Sequence, residues 1–255
     1  MNQTERRTYL IKALLAERGQ KTFVPKNAEE QKRLLRSLMN VRMPAPVSDE
    51  FLRIQDDYLQ QAIAEKGITR LADLQPIQED MYLWQGDITT LECDAIVNAA
   101  NSQMLGCFRM LHNCIDNCIH TYSGVALRNK CSEIMKKQGH EEPTGKAKIT
   151  PAYNLPCKYI LHTVGPIVGG TLTEWDCRLL ESCYRSCLEL AEENGIKSIA
   201  FCCVSTGVFG FPRRDAAEIA VNTVIDYKML EGSSIKVIFN VFEDEDMEIY
   251  RKLLT

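Results

Sequence analysis

Short, almost entirely apolar segments alternate with helical patterns from Met81 onward, and this alternation is the feature that most restricts the fold. The runs DAIVNA (94–99) and KSIAFCCV (197–204) are typical of strands covered on both faces. Alternation of such strands with helices predicts a three-layer α/β/α domain with a parallel or mixed central sheet. The predicted strands are 81–85, 94–98, 146–150, 158–164, 197–204 and 235–241, and the predicted helices are 114–138, 174–194, 213–229 and 244–254.

The first part of the chain, to about residue 75, has a different pattern that predicts helices only. Asn27 is placed to begin a helix through Met39 with a capping box, and Ser48 to begin another that ends at Gly67. A first helix has an apolar stripe formed by Leu10, Ile11, Leu14 and Leu15. The predicted domains are a helical N-terminal extension, 1–75, which we interpret as a lid or docking layer, and the α/β domain, 76–255.

Composition excludes several classes of protein. The net charge of −4, without a basic run, disfavours nucleic acid as a main partner. No signal-like or membrane-length apolar segment is present, so we expect a cytoplasmic protein that does not bind membranes. Eleven cysteines, an odd number, indicate free thiols in a reducing compartment rather than a disulfide scaffold.

Three polar or glycine-containing segments follow predicted strands, where ligands bind in sheets of this kind. In GDIT, Asp87 could accept hydrogen bonds from an exocyclic amine, and in NAAN the amides of Asn98 and Asn101 could bind hydroxyls. In STGVFGFP (205–212), small residues before a helix would let backbone N–H groups approach an anion. Taken singly, each segment is also explained as an ordinary turn.

The stretch LGCFRMLHNCIDNCIH (105–120) concentrates soft metal ligands. Cys107, His112 and Cys114 could supply the three ligands of a catalytic zinc site. Residues 112 and 114 would point about 200° apart on a helix, so this interpretation requires irregular backbone up to roughly Cys114. Cys114 and Cys118 with His112 form a second possible set, whereas His120 is more typical of a structural residue. Buried thiols without a metal are the remaining alternative.

Four motifs in the same order, GDIT, VNAANS, STGVFGFP and VFEDEDMEIY (241–250), resemble those of the macrodomain family across residues 81–255. That family binds ADP-ribose and often removes it from proteins. The resemblance implies that Asp87 and Ile88 hold the adenine, that Phe242 packs on its ring and that Asn101 faces the distal ribose. It also implies a diphosphate loop formed by Ser205, Thr206, Gly207, Val208, Phe209, Gly210 and Phe211.

The stretch that follows VNAANS is similar to the zinc-dependent bacterial macrodomains of the MacroD-like, sirtuin-linked hydrolase subfamily. GCFRMLHNC replaces the glycine-rich loop of other MacroD-type enzymes, while CIDNCIH is kept; Met110 stands where the subfamily signature has proline. The resemblance implies a Zn²⁺ cofactor, an N-terminal helical extension and a functional aspartate at Asp116. The implied substrate is an ADP-ribosylated lipoyl carrier protein similar to the glycine cleavage H protein, modified by a sirtuin-type transferase.

The implied reaction cleaves the bond from C1 of the distal ribose to an acceptor, with the oxocarbenium character of glycoside hydrolysis. Zinc could activate a water molecule or clamp a ribose hydroxyl, and Asp116 could position or deprotonate the water. A plain exposed acid in the first turn of a helix is the alternative for Asp116. The alternatives for the whole protein are a non-catalytic ADP-ribose reader and a macrodomain with a purely structural zinc.

Overall fold

The computed structural model describes residues 1–20 and 23–255, and its first part is a layer of three helices. These helices are α1 (Gln3–Glu17), α2 (Ala28–Asn40) and α3 (Asp49–Lys66). The Asn27 side chain accepts from the backbone N–H groups of Glu29 and Glu30, and Ser48 Oγ accepts from that of Phe51, so both predicted N-caps are confirmed. The predicted capping box is incomplete, because the Glu30 side chain does not accept from the Asn27 backbone. The apolar stripe of α1 is buried against the other two helices.

The prediction that residues 1–75 contain helices only is wrong at the end of this segment. A two-residue strand, β1 (Thr69–Arg70), pairs in parallel with β4 (Leu91–Glu92) and is followed by a 3₁₀ turn at Leu71–Asp73. Arg70 Nε lies 3.0 Å from Glu92 Oε2. This pairing joins segments about twenty residues apart, and two residues are too few to give a periodic pattern.

The central sheet has seven strands: β2 (Pro76–Gln78), β3 (Met81–Gln85), β5 (Ala95–Ala100), β6 (Ala147–Pro151), β7 (Tyr159–Val164), β8 (Ser198–Phe201) and β9 (Lys236–Val241). Their order across the sheet is β2-β3-β9-β8-β5-β7-β6. The five inner strands are parallel, and the two edge strands β2 and β6 run antiparallel to their neighbours. The predicted mixed sheet is therefore confirmed, although β8 ends three residues before the predicted end.

Helices cover both faces of this sheet, which confirms the three-layer architecture. Helices α6 (Glu174–Glu193), α7 (Arg213–Glu231) and α8 (Asp244–Leu254) pack together on one face. Helices α4 (Ile115–Ser123) and α5 (Val125–Gln138) lie on the other face, and α2 and α3 pack against α4. Among the described residues, no helix is long and apolar enough to cross a membrane.

The single helix predicted over 114–138 is wrong, because Gly124 divides it. Gly124 has φ 93° and ψ 178°, a conformation that interrupts the helix and that other residues rarely adopt. The buried carboxamide of Gln55 occupies the space beside it and accepts a hydrogen bond from the backbone N–H of Val125 at 2.9 Å. The break thus depends on a side chain from α3, which a local pattern does not reveal.

Candidate functional site

The predicted diphosphate loop connects β8 to the N-terminus of α7. Its turn is closed by hydrogen bonds from the backbone N–H of Phe211 to the carbonyl of Ser205, and from that of Gly210 to Gly207. Ser205 and Gly210 both have positive φ, 65° and 69°. No heavy atom lies within 4 Å of where a Cβ of Gly207 would be, so a ligand can approach the backbone there.

Within the same loop, the side chains divide into buried and exposed groups. Phe211 is buried, whereas Val208 and its glycine neighbour Gly207 are exposed. Phe209 is half-buried, and Thr206 Oγ1 donates to the carbonyl of Cys203 at 3.0 Å. Ser205 Oγ is buried without a hydrogen-bond partner among the described residues. The loop therefore offers backbone donors and one buried hydroxyl beside a helix N-terminus.

The residues predicted to hold adenine lie at the ends of β3 and β9. Asp87 accepts from the backbone N–H and the hydroxyl of Thr89 and forms an ion pair with Lys66 at 3.0 Å. Burial alone would raise the pKa of Asp87, but the Thr89 hydrogen bonds and the Lys66 cation lower it overall. Ile88 is buried, so only its backbone can face a ligand, while the Phe242 ring is 71% exposed and free to stack.

The predicted ribose-facing and catalytic residues form one network. Asn98 Nδ2 donates to Asp116 Oδ1 at 2.9 Å, and Asn101 Nδ2 lies 3.3 Å from Asp116 Oδ2. Asn98 is fully buried and also contacts His162, so its amide holds Asp116 in place instead of facing a hydroxyl. Asn101 is half-buried and also donates to the carbonyl of Gly106 at 3.1 Å.

Asp116 is itself buried, which removes the alternative of a plain exposed acid in the first turn of α4. Burial raises the pKa of Asp116 to about 6, against the opposing effects of the Asn98 hydrogen bond and the Arg128 cation. A carboxyl group with such a pKa changes protonation near neutral pH, as a general acid or base requires.

Cys107, His112 and Cys114 come together as the sequence analysis requires for a metal site. Their ligand atoms all lie within 4.8 Å of one another, and Cys107 Sγ is 3.6 Å from His112 Nδ1. The backbone is irregular up to Cys114, which is the N-cap of α4. In the protein alone, burial raises the pKa of the Cys114 thiol to about 12, so its thiolate needs a cation beside it.

The rival ligand Cys118 does not join this group in the part of the chain that the structure describes. Its sulfur instead lies 3.8 Å from Arg36 Nη2. A second soft-ligand group, absent from the sequence analysis, consists of His120, Cys131 and His162 in the core. Both ring nitrogens of His162 are engaged, with Asn98 at 3.1 Å and Thr150 Oγ1 at 2.9 Å, so we interpret this group as core packing.

Comparison with known proteins shows the family to which this chain belongs. The Macro domain family matches residues 97–220. A protein-ADP-ribose hydrolase of Treponema medium is 61% identical over all of both chains. Another, of Staphylococcus aureus strain MSSA476, is 50% identical over 96% of this chain and 93% of the relative. The chain belongs to the macrodomain family. A crystal structure of the Trypanosoma brucei macrodomain in complex with ADP-ribose has 30% identity and a TM-score of 0.68, covering 86% of this chain and 95% of that one.

This macrodomain holds the 107–114 loop with side chains that the sequence analysis did not single out. Arg36 of α2 donates to the carbonyl of His112 at 2.7 Å, and Asn40 accepts from the backbone N–H of Leu111 at 2.9 Å. Asn117 of α4 donates to the carbonyls of Cys107 and Arg109. The N-terminal layer therefore fixes a loop that has no regular secondary structure of its own.

Arg128 of α5 holds the start of this loop and the residues just before it. Its Nε donates to the carbonyl of Leu105 at 2.7 Å, and its guanidinium lies 4.6 Å from the centroid of the Phe108 ring. Its Nη1 donates to the carbonyls of Met39 and Arg42 in and after α2. Burial lowers the pKa of Arg128 to about 10, which still leaves a cation at neutral pH. The sequence offers one signal that could have found Asn40 and Arg128: each is a polar residue on a helix face that is otherwise apolar, and both are buried in the structure.

Proposed function

We propose that this macrodomain is a zinc-dependent protein ADP-ribosyl hydrolase that releases ADP-ribose from modified protein. Relatives that match nearly the whole chain carry the name protein-ADP-ribose hydrolase, and we assign this chain the same hydrolase activity. One observation carries the proposal: the carboxyl of Asp116 is buried, accepts from Asn98 and Asn101, and lies two residues after Cys114 of the Cys107–His112–Cys114 triad.

The triad fits zinc by its chemistry. Two thiols and one imidazole are the soft donors that zinc prefers, they are half-buried, and three protein ligands leave a fourth position open. When bound there, zinc would supply Lewis acidity for a water molecule or for a ribose hydroxyl. Absence of Cys118 from the group favours an open catalytic site over a closed structural one.

The rest of the site supports ADP-ribose as the ligand. The carboxylate of Asp87 and the exposed ring of Phe242 can bind the amine and the face of adenine. Backbone N–H groups of the 205–211 loop, next to the N-terminus of α7, suit two phosphates. This arrangement leads the distal ribose towards Asn101, whose amide also contacts Asp116.

Asp116 acts on the proton of the attacking water in this proposal. Ionised Asp116 accepts that proton, or orients the water by accepting a hydrogen bond, as the bond from C1 of the ribose to the acceptor breaks. Asn98 and Asn101 each donate to one of its two oxygens, which restrains the orientation of the carboxylate. Positioning of this kind lowers the entropic part of the barrier.

The proposed protein substrate is an ADP-ribosylated lipoyl carrier similar to the glycine cleavage H protein, with a sirtuin-type transferase as the enzyme that adds the modification. This part of the proposal rests on the similarity of GCFRMLHNCIDNCIH to the zinc-dependent subfamily. We propose the cytoplasm as its location, where the eleven cysteines, all free in the structure, would stay reduced.

The test compares zinc content with ADP-ribose release from modified carrier protein. We expect chelation, or Cys114→Ala, to remove zinc and to abolish release, while Asp116→Ala keeps zinc and ADP-ribose binding but loses turnover. Full release after complete metal loss would refute a catalytic zinc, and full activity of Asp116→Ala would refute the role of Asp116. Tight ADP-ribose binding by the wild type, without release from any modified protein, would identify a reader instead.

A further inference from the structure

A cleft of about 640 Å³ lies between the N-terminal helices and α4, beside the proposed ADP-ribose site. Its walls come from α1, α2, α3, α4 and the metal loop. The charged residues that line it are Arg7, Lys32, Arg33, Arg36, Lys66 and Glu65, five basic and one acidic. Two of these cations have carboxylate partners, Lys32 with Glu29 and Lys66 with Asp87. Five basic side chains against three acidic ones still leave a positive excess, opposite in sign to the net charge of the whole chain, −4. The cleft is therefore suited to an anionic partner.

The cleft is continuous with the proposed reaction centre. Leu111 and Asn113, which line it, flank His112 of the metal triad on either side. Arg36 belongs to both regions, because it lines the cleft and its Nη2 donates to the carbonyl of His112 at 2.7 Å. A polypeptide that presents a modified side chain to the triad would have its neighbouring residues within reach of this cleft.

Two exposed cations of α2 are open to a partner at the cleft. The side chain of Arg33 forms no ion pair among residues 1–20 and 23–255, and Lys32 pairs only with Glu29 on the exposed surface of α2. An acidic ligand can reach both side chains without displacing a buried group.

We propose that this cleft docks an acidic segment of the ADP-ribosylated protein, next to the modified residue, and thereby selects the substrate. The inference rests on the proposed function, because it assigns a protein partner to the same reaction centre. A polypeptide is favoured over a small free anion because the cations that are not buried come from two helices, α2 and α3, and reach as far as the loop that holds the triad.

The test uses synthetic peptides with the same ADP-ribosylated acceptor, flanked in one case by glutamates and in the other by glutamines. The variant Lys32→Glu/Arg33→Glu reverses two charges of the cleft at exposed positions that do not contact the triad. Lys136→Glu/Lys137→Glu makes the same change in charge on the exposed end of α5 and is the matched control. Fluorescence anisotropy measures binding, and release of ADP-ribose is followed separately.

We expect the wild type and the control to bind the glutamate-flanked peptide about tenfold more tightly than the glutamine-flanked one, with a preference that falls at high salt. The cleft variant should lose this preference and still bind free ADP-ribose normally. Equal binding of both peptides by the wild type would overturn docking, whether or not they are hydrolysed. Inorganic phosphate that binds the wild type but not the cleft variant, together with equal peptide binding, would assign the cleft to a small anion instead.

These outcomes separate the inference from the proposed function. Preferential binding that the cleft variant loses, without any release of ADP-ribose, would keep the docking cleft and refute the hydrolase. Release at equal rates from both peptides, without preferential binding, would keep the hydrolase and refute the docking cleft.

Discussion

Replacement of Asn40 by alanine tests whether the N-terminal layer sets the geometry of the metal loop. The Asn40 side chain is buried, accepts from the backbone N–H of Leu111 at 2.9 Å and donates to Thr121 Oγ1 at 2.8 Å. Leu111 has φ 56°, a left-handed conformation that costs a residue other than glycine roughly 1–2 kcal/mol. The hydrogen bond from Leu111 to Asn40 helps to hold that conformation directly before the ligand His112.

The two lost hydrogen bonds differ in cost. The part-buried Leu111 N–H would be left without its partner, at about 1–3 kcal/mol, whereas Thr121 keeps its bond to the carbonyl of Asn117 and loses about 1 kcal/mol. The sum is about 2–4 kcal/mol. Because Leu111 can relax out of its strained conformation, we expect part of this loss to appear as a looser loop and as weaker zinc binding, by about 10- to 100-fold.

Zinc affinity is measured by competition with a chromophoric chelator, and stability by urea unfolding of the metal-free protein. Asn27→Ala is the control, since it removes the N-cap of the same helix, costs about 1 kcal/mol and does not touch the loop. We expect both variants to be destabilised but only Asn40→Ala to bind zinc more weakly. If zinc affinity is equal in the two variants, the N-terminal layer does not position the ligands.

Three further changes test other parts of the site. Gly106→Ala and Gly139→Ala both place a Cβ at a positive φ, 81° and 78°, but only the Cβ at position 106 would lie 2.8 Å from the His120 ring. Thermal unfolding should therefore show a larger loss of stability for Gly106→Ala, and its release of ADP-ribose should fall. Lys66→Gln removes a cation that lowers the pKa of Asp87, so Asp87 should become protonated at a higher pH in this variant. On acidification, calorimetric titrations should show the loss of ADP-ribose binding beginning at a higher pH than in the wild type. An unchanged pH profile would show that binding does not depend on an ionised Asp87. Phe242→Ala should weaken ADP-ribose binding by about 1–2 kcal/mol and leave the melting temperature unchanged, because the ring is exposed; unaltered affinity would show that the ring does not stack on adenine.

Most regular elements of the α/β domain could be predicted because their patterns are local. The strand Met81–Gln85 and the helix Asp244–Leu254 have the predicted bounds, and the other long strands and helices differ by a few residues at their ends. The break at Gly124 and the short strand Thr69–Arg70 could not be predicted. Each depends on a partner distant in the sequence, the carboxamide of Gln55 in one case and the strand Leu91–Glu92 in the other.

The candidate site shows the same division. Spacing and ligand chemistry left two ligand sets and a site without metal open, and the resemblance to the zinc-dependent subfamily selected Cys107, His112 and Cys114. The structure brings these three side chains together, with the irregular backbone before Cys114 that a metal site requires. Spacing could not tell that Asn98 is buried beneath Asp116, since the side of a strand that faces a helix depends on tertiary packing. The ion pair of Lys66 with Asp87 was equally hidden, because it joins α3 to the end of β3.

The position of the N-terminal layer explains how an irregular loop can hold the three candidate metal ligands in place. A loop of this length has many conformations, and ordering it costs roughly 1–2 kcal/mol per residue. Arg36, Asn40 and Arg128 offset this cost with hydrogen bonds to its backbone, and two of the three come from α2. Met110 of the loop is exposed and lacks the fixed φ of a proline, so the conformation of the loop depends more on these hydrogen bonds. The N-terminal layer and the loop therefore form one structural unit, although three of the seven strands of the sheet separate them in the sequence.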